Sequence, residues 1–339
     1  MLRYWVGLNM VEGLGPIKLR QRLERGDSPQ SLCAEFNAPL DLADRQIETA
    51  QKNNIRIIQL VDHDYPEILK QIHDPPPILY LRGDLVKMET AVAIVGTRKA
   101  TAYGSECARR LAAGLASCGL TIVSGLAMGI DTAAHEGALS AGGRTIAVLG
   151  GGVDAPTPYC NARLAIEISK SGGVISEYPL GQKPQTWSFP RRNRIVSGLC
   201  RAVIVVEGGE KSGALITARM ALEQGREVMA VPGRIDSELS RGPHSLIKDG
   251  AKLVETVNDV LVELNLEPQN NERECRPAAA CQLTLEEERI FARLSREPKH
   301  LDVIAAELAL PGYQLSTLLL SLEIKRAVKQ LPGQYYIMI

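Results

Sequence analysis

The 339-residue sequence predicts an α/β protein built around a doubly wound, mostly parallel sheet. Short apolar runs alternate with helical patterns along most of the chain, which is typical of strand–helix units. Most of these runs end in a glycine-rich turn, as Val92–Val95 does at Gly96. A polar stretch with two prolines, 266–282, then predicts a linker. The predicted fold class is therefore an extended Rossmann-like sheet, with a small N-terminal helical domain before it and a C-terminal winged-helix-like domain after it.

The pattern of apolar residues in 1–53 predicts a small helical domain. Apolar residues line one face of Leu2–Met10, Gly13–Pro16 interrupts the pattern, and Ile17–Arg25 restarts a helix with the proline just inside it. This arrangement resembles a SAM-like or helix-hairpin-helix domain, and in the second type loop N–H groups contact DNA phosphates. A helical corner that packs against protein is the open alternative.

Residues 54–265 carry the sheet. Asn54–Leu60 and Ile78–Arg82 are predicted as strands that extend the sheet at an edge. The other predicted strands are Val92–Val95, Leu120–Val123, Thr145–Leu149, Gly173–Ser176, Ala202–Val206, Val228–Val231 and Leu253–Val254. Right-handed connections bring the carboxyl ends of the parallel strands to one edge, where ligands bind in open α/β sheets.

Residues 283–339 predict three helices and a hairpin, which resemble a winged helix. The third helix, Gln314–Glu323, is apolar and has no Lys or Arg before Lys325. Since helices that read duplex DNA present basic or polar side chains, a protein contact or a structural role is favoured over duplex readout.

Composition excludes several classes of protein. The formal net charge is zero, so a polyanion site must come from local clustering, and 4% aromatic residues argue against a groove with many stacked bases. None of the seven cysteines forms a C-x-x-C pair, and no apolar run approaches the ~18 residues that span a bilayer. We expect a cytoplasmic protein with no membrane partner.

Two turns at the predicted ligand edge favour an anion site. Gly96 and Arg98-Lys99 follow one strand, and Ser124-Gly125 follows the next. Helix N-termini at such turns offer N–H groups and partial positive charge to phosphate, and Arg98 and Lys99 add formal charge.

A second basic cluster begins at Phe189. Arg191, Arg192 and Arg194 flank Asn193, and the apolar residues after them anchor one side and leave the other free. Guanidinium groups match phosphate oxygens, and Phe189 can stack on one base, while a solvated loop is the alternative. Lys211 and the predicted N-cap Ser212 begin a further helix at the same edge.

Carboxylates near strand ends could act as an acid–base pair, namely Asp131, Asp154, Glu177 and Glu207. Their spacing fixes no pairing, and caps or turn hydrogen bonds explain them equally well. Asp131 and His135 stand four apart on a helix, where a local hydrogen bond is expected. The sequence shows no catalytic triad order, no metal-ligand spacing and no nucleotide-binding glycine motif after Val95. We therefore expect no catalytic residue, no metal and no cofactor.

Six motifs together closely resemble the DNA-processing protein A family, DprA, also called Smf. They are VAIVGTRKATAYG (92–104), VSGLAMGIDTAAHEGAL (123–139), TIAVLGGGVD (145–154), FPRRNRIVSGL (189–199), SGALITARMALEQGREVMAVPG (212–233) and LIKDGA (246–251). The resemblance implies a protein without enzymatic activity that binds single-stranded DNA, protects incoming DNA, and helps load the recombinase RecA in natural transformation. It also implies a homodimer formed through the Rossmann-like domain.

Carried over by motif, the single-strand site comprises Gly96, Arg98, Ser124, Gly125, Phe189, Arg191, Asn193, Arg194, Lys211 and Ser212. The residue-level interpretation adds Lys99 and Arg192. Two places depart from the family pattern: Ala155–Tyr159 stands where a Tyr-Pro pair is usual, and His244 where asparagine is common. The alternative function is a nucleotide-phosphate hydrolase of the lysine-decarboxylase-like Rossmann group, with Glu207 or Glu177 acting on the nucleotide. A transcription factor that uses the last domain is a third, weaker possibility.

Overall fold

The computed structural model describes residues 1–85, 90–267, 284–294, 299–308, 310–325, 327–331 and 333–338. The chain divides into two compact units, Met1–Glu272 and Arg273–Ile339. Most of the predicted linker, 266–282, lies outside the described residues.

The first unit contains twelve α-helices and nine strands within these described residues. The helices are α1 (Leu2–Asn9), α2 (Pro16–Glu24), α3 (Pro29–Glu35), α4 (Leu40–Lys52), α5 (Glu67–Lys70), α6 (Ala102–Ser117), α7 (Ile130–Ser140), α8 (Ala162–Ser171), α9 (Ser188–Gly198), α10 (Gly213–Glu223), α11 (Arg241–Lys248) and α12 (Val257–Glu263). The strands are β1 (Arg56–Gln59), β2 (Ile78–Gly83), β3 (Ala91–Val95), β4 (Thr121–Ser124), β5 (Thr145–Val148), β6 (Gly173–Ser176), β7 (Ala202–Val205), β8 (Glu227–Ala230) and β9 (Lys252–Leu253).

All nine strands form one sheet in the order β1-β2-β6-β5-β4-β3-β7-β8-β9. In this order the seven strands from β6 across to β9 are parallel. As predicted, β1 and β2 extend the sheet at its edge, and they do so beside β6 through antiparallel pairs. Along the chain, β3, β4, β5 and β6 are added one after another toward one edge of the sheet, whereas β7, β8 and β9 are added toward the other edge. The junction of β3 and β7 is therefore the topological switch point, where open α/β sheets form their ligand crevice.

Helices cover both faces of the sheet, so the central strands are buried on both sides. Because side chains alternate along a strand, Val92 and Ile94 pack with α6 and α7, while Ala93 and Val95 pack with α9 and α10. This double burial explains why the strands read as continuous runs of valine, isoleucine and alanine.

The N-terminal helices share a core with the sheet. Trp5 and Val6 of α1 lie in one apolar cluster with Ile78 and Tyr80 of β2. The Asn9 amide also donates to the carbonyl of Glu177 at 3.0 Å. Packing is thus continuous across residues 53 and 54, and the boundary placed there from the sequence stays a prediction.

The second unit has the predicted three helices and hairpin. They are α13 (Leu285–Phe291), α14 (Leu301–Leu308), α15 (Gly312–Ile324), and a small sheet of β10 (Lys299–His300), β11 (Val328–Leu331) and β12 (Tyr335–Met338). Its core includes Ile304, Leu315, Leu319 and Leu322. In the described part of the chain no single helix is long and apolar enough to cross a bilayer. Only α14 and α15 taken together, with a 110° bend between them, meet the length and composition criteria.

Candidate nucleic-acid interface

The turn after β3 is held between the end of β7 and the start of α7. The Thr97 amide donates to the Glu207 carbonyl at 2.7 Å, and the Thr97 carbonyl accepts from the Ile130 amide at 3.2 Å. Gly96 is needed because a Cβ there would lie 2.5 Å from the Ile130 side chain and 2.8 Å from the Glu207 carbonyl. The turn is therefore rigid, and the next side chain, Arg98, is exposed.

A carboxylate from the chain itself occupies the N-terminus of α6. The Glu207 side chain accepts from the Thr101 amide at 2.9 Å and from the Thr101 hydroxyl at 2.5 Å. Thr101 is the N-cap of α6, and a Cβ on Gly104 would collide with the Glu207 carboxylate. Glu207 therefore already brings an anionic group to the N-terminus of α6, where the sequence predicted a phosphate, and phosphate binding there stays a prediction.

The turn after β4 is also used internally. The buried Ser124 hydroxyl donates to the Ile94 carbonyl at 2.7 Å, and the Gly125 amide donates to Asp131 Oδ2 at 3.1 Å. Burial raises the pKa of Asp131 above its ordinary value, although Arg192 opposes this. Ser124 and Gly125 therefore shape the edge, and their hydroxyl and amide are already bonded.

His135 does not bond to Asp131, contrary to the expectation from their spacing. Its Nδ1 pairs with the Thr145 hydroxyl at 2.7 Å, in the interior. Burial lowers the pKa of His135 to about 3, so the ring is neutral in the folded protein at physiological pH. Among the described residues no group of three or more His, Cys, Asp or Glu side chains could hold a metal ion.

The basic cluster after Phe189 is helical, since it lies within α9, and two of its arginines are buried. Arg192 is 5% exposed and donates from Nη1 to the Gly125 carbonyl at 2.6 Å and to the Val148 carbonyl. It therefore joins the carboxyl ends of β4 and β5. Burial lowers the pKa of Arg192 from its ordinary value, while Asp131 opposes this.

Arg194 forms a buried ion pair. Its Nη2 donates to Glu177 Oε2 at 2.6 Å, and its Nε lies 2.9 Å from Asp74 Oδ2. The Arg194 and Glu177 side chains are 5% and 3% exposed. The expectation of a free arginine side is wrong for Arg192 and Arg194, because the helical turn directs them at the sheet and at acids from other segments.

The exposed cations of the predicted set lie along the same edge. The Arg98 guanidinium lies over the Phe189 ring, 5.0 Å from its centroid. Phe189 is half-buried, and its ring covers Gly150 at the end of β5. Arg191 is exposed and lies 3.6 Å from Glu177 Oε2. These exposed cations and the ring that they flank form a cationic rim, which consists of Arg98, Lys99, Phe189, Arg191 and Lys211.

The start of α10 completes this edge. Ser212 is the N-cap, as predicted, and its hydroxyl accepts from the Ala214 amide at 3.2 Å. Asn193 of α9 approaches it, with its amide 3.4 Å from the Gly213 carbonyl. Because β5, β4, β3 and β7 are neighbours, the cationic rim crosses three strand intervals, or about 14 Å.

Two residues that shape this edge carry no clear signal in the sequence. Asp74, the second partner of Arg194, lies in a proline-rich turn far from α9 in the chain. Trp187 directly precedes α9, and its indole is 55% exposed beside the cationic rim's Phe189. An aromatic residue two positions before Phe189 was the only signal for it.

Of the two departures from the family pattern, Ala155–Tyr159 follows β5 and His244 lies within α11. The Asp154 carboxylate accepts from the Gly181 amide at 3.0 Å, and Tyr159 is 90% exposed. His244 Nε2 pairs with the Gly233 carbonyl at 3.1 Å. None of these three residues belongs to the cationic rim.

Comparisons with known proteins give one consistent result. A family model described as DNA recombination-mediator protein A matches residues 56–265, and a model of the DprA winged helix domain matches residues 274–334. Protein Smf of Synechocystis is 36% identical over 390 aligned positions, which cover 98% of each chain. DNA processing protein DprA of Bacillus subtilis is 43% identical over 235, which cover 69% of this chain and 78% of that protein.

Solved structures agree. The crystal structure of DNA processing protein A from Streptococcus pneumoniae superposes with a TM-score of 0.68 at 38% identity, covering 78% of this chain and 98% of that one. DNA processing protein A from Helicobacter pylori, whose structure was described for its single-stranded DNA binding mode, gives a TM-score of 0.56 at 32% identity. That match covers 62% of this chain and 95% of the other.

Proposed function

The chain belongs to the DNA recombination-mediator protein A family, DprA or Smf, and on that premise we propose that it binds single-stranded DNA along the cationic rim. The observation that carries the proposal is the stacked pair of Arg98 and Phe189 at the carboxyl edge of the sheet. An exposed guanidinium beside a ring offers a phosphate contact and a base contact side by side. The single-stranded DNA binding mode described for the Helicobacter pylori relative supports the same ligand.

The buried arginines have a different role in this proposal. Arg192 and Arg194 hold α9 against the sheet, so that Phe189 and Arg191 keep their places on the rim. Charge-assisted bonds to the DNA then come from the exposed cations of the rim. Asn193, Gly96, Ser124, Gly125 and Ser212 shape the backbone beneath them.

We propose a binding protein and not an enzyme. Glu207 accepts hydrogen bonds from Thr101, the N-cap of α6, and Glu177 is paired with Arg194, so either acid named for a hydrolase is already engaged in a structural contact. This supports the binding function over the nucleotide-phosphate hydrolase. A nucleotide hydrolysis assay of the wild type and Glu207→Gln tests it, and hydrolysis that depends on Glu207 would favour the enzyme.

Family membership supports the rest of the proposed role. The protein would act in the cytoplasm as a homodimer through the Rossmann-like domain, protect incoming DNA, and help load RecA during natural transformation. Light scattering at tens of micromolar tests the dimer, and a monomer there would reject it. The rate at which RecA assembles on single-stranded DNA, with and without the protein, tests the loading step.

Affinities for single- and double-stranded DNA of equal length test the binding site. We expect a preference for single strands with little sequence dependence, and an affinity that falls as salt increases. Arg98→Ala should weaken binding about ten- to a hundredfold, which corresponds to ~1.5–3 kcal/mol for one charge-assisted bond. The salt slope should also become shallower, since one phosphate contact is lost.

Arg110→Ala is the matched control. Arg110 is an exposed arginine halfway along α6 and away from the rim, so its removal changes net charge equally. Equal or tighter binding of duplex DNA, or identical losses in both variants, would contradict a site at the cationic rim.

A further inference from the structure

Trp187 lies at the end of the cationic rim, one strand further along the sheet edge than Phe189. Its ring packs edge-on against Tyr178, with centroids 5.9 Å apart and planes at 73°. Tyr178 follows the end of β6 and is buried, whereas Phe189 covers Gly150 at the end of β5. Since β6 and β5 are adjacent, the two aromatic rings rest against the turns that follow neighbouring strands.

The backbone between the two rings is fixed. The buried Ser188 hydroxyl donates to the Gly150 carbonyl at 2.6 Å and accepts from the Gln185 amide at 3.0 Å. Trp187 already has helical backbone angles, φ −74° and ψ −22°. Residues two apart in a helix point about 200° apart around its axis, so Trp187 and Phe189 present separate surfaces.

The indole is exposed although it rests on a buried support. Trp187 is 55% exposed, and its partner Tyr178 is 5% exposed. Exposed cations stand on both sides of it in the chain, Lys183 before it and Arg191 one helical turn after it. A rigid aromatic surface between two cations is the arrangement that stacks an unpaired base while its phosphates are neutralised.

We infer that Trp187 is a second stacking platform, which holds another base of the same DNA strand beyond the base on Phe189. The inference rests on the proposed single-strand function and extends it. Adding the β6 end lengthens the binding track from three strand intervals to four, or about 19 Å from β6 to β7. The strand then runs across the sheet edge from Trp187 past Phe189 and Arg98 to Lys211.

Fluorescence gives a direct test on the full chain. The sequence has two tryptophans, and the other one, Trp5, is buried at 2% exposure. Addition of oligothymidylate should quench the Trp187 emission, and Trp187→Phe should abolish that quenching. Undiminished emission from the wild type at a DNA concentration that saturates binding would overturn the inference.

Affinities for a normal and an abasic strand of equal length separate stacking from charge. Trp187→Ala should weaken binding to oligothymidylate about 5- to 150-fold, the range expected for one stacked base, and Trp187→Phe should restore most of it. On the abasic strand Trp187→Ala should match the wild type, whereas Arg98→Ala should still bind more weakly. Ile166→Ala, which removes a 50% exposed apolar side chain from α8, is the control and should change neither affinity.

The outcomes distinguish the inference from the proposed function. If the wild type binds single strands and Arg98→Ala weakens binding, but Trp187→Ala and Trp187→Phe both keep full affinity, only the second platform is rejected. If Trp187→Ala weakens binding to both strands equally, its role is not stacking, and the inference is again rejected. If the wild type binds neither strand, the proposed function and the inference both fail.

Discussion

Replacing Arg194 with methionine tests whether a conspicuous arginine serves folding and not DNA binding. In the folded protein its guanidinium lies between Glu177, 2.6 Å away, and Asp74, 2.9 Å away. The Arg194 and Glu177 side chains are 5% and 3% exposed. Methionine keeps much of the side-chain volume and removes the charge, so the Glu177 carboxylate stays buried without its main partner.

The expected loss of unfolding free energy is about 3 kcal/mol. Removing one partner of a buried ion pair costs ~3–5 kcal/mol, because the remaining charge is left uncompensated. Two features place the loss expected for the Arg194 variant at the lower end of this range. Arg191 lies 3.6 Å from the same Glu177 oxygen, and Asp74 is 31% exposed and can be solvated. The double variant Arg194→Met/Glu177→Gln should recover part of the loss, since the uncompensated charge is gone.

Urea unfolding at neutral pH, followed by circular dichroism, measures these differences. The exposed Arg98→Ala variant is the control, and its unfolding free energy should stay within ~0.5 kcal/mol of the wild type. An Arg194→Met protein that is as stable as the wild type would refute the reasoning. A large loss of single-strand affinity in a fully stable Arg194→Met protein would instead place that side chain on the DNA.

Three further expectations concern pH, a helix cap and the second unit. Burial lowers the pKa of His135 to about 3, so between pH 6.5 and 3 the unfolded chain binds a proton that the folded protein does not. When the pH falls from 7.5 to 5.5, the unfolding free energy of the wild type should therefore decrease by ~1.4 kcal/mol more than that of His135→Gln. Equal decreases of the two proteins in urea unfolding would contradict this. Glu207→Ala should destabilise the protein by ~1–2 kcal/mol because Thr101 loses its acceptor, and inorganic phosphate should raise the melting temperature of that variant more than that of the wild type. Truncation after Glu267 should leave a folded protein that still binds single strands, since Met1–Glu272 is a compact unit; a truncated protein with a native circular dichroism spectrum but no affinity would contradict this.

The sequence predicted most of the sheet because its signals are local. Apolar runs such as Val92–Val95 became strands, Gly119 adopts a positive φ of 82° two residues after the end of α6, and Ser212 caps α10. Each of these features depends on residues within a few positions of one another. The helix α9 was missed because its arginines and proline are equally consistent with a solvated loop.

The candidate site also combines features that follow from the local sequence with contacts between distant segments. The local pattern alone placed Arg98, Phe189 and Lys211 at the carboxyl edge, because parallel strands with right-handed connections must end there. The pattern could not reveal that Glu207 fills the N-terminus of α6. That contact joins the ends of β3 and β7, which become neighbours only when the sheet forms.

The sequence by itself determined the alternation of strands and helices, the edge at which they converge and the family of the chain. Only the tertiary structure decided which cations face solvent. Arg191 and Arg194 stand three positions apart, yet Arg191 is exposed and Arg194 is buried. The reason is that a buried charge needs a partner, and the partners of Arg194 come from a turn before β2 and from the end of β6. Contacts between segments so distant in the chain exist only after the sheet has brought them together.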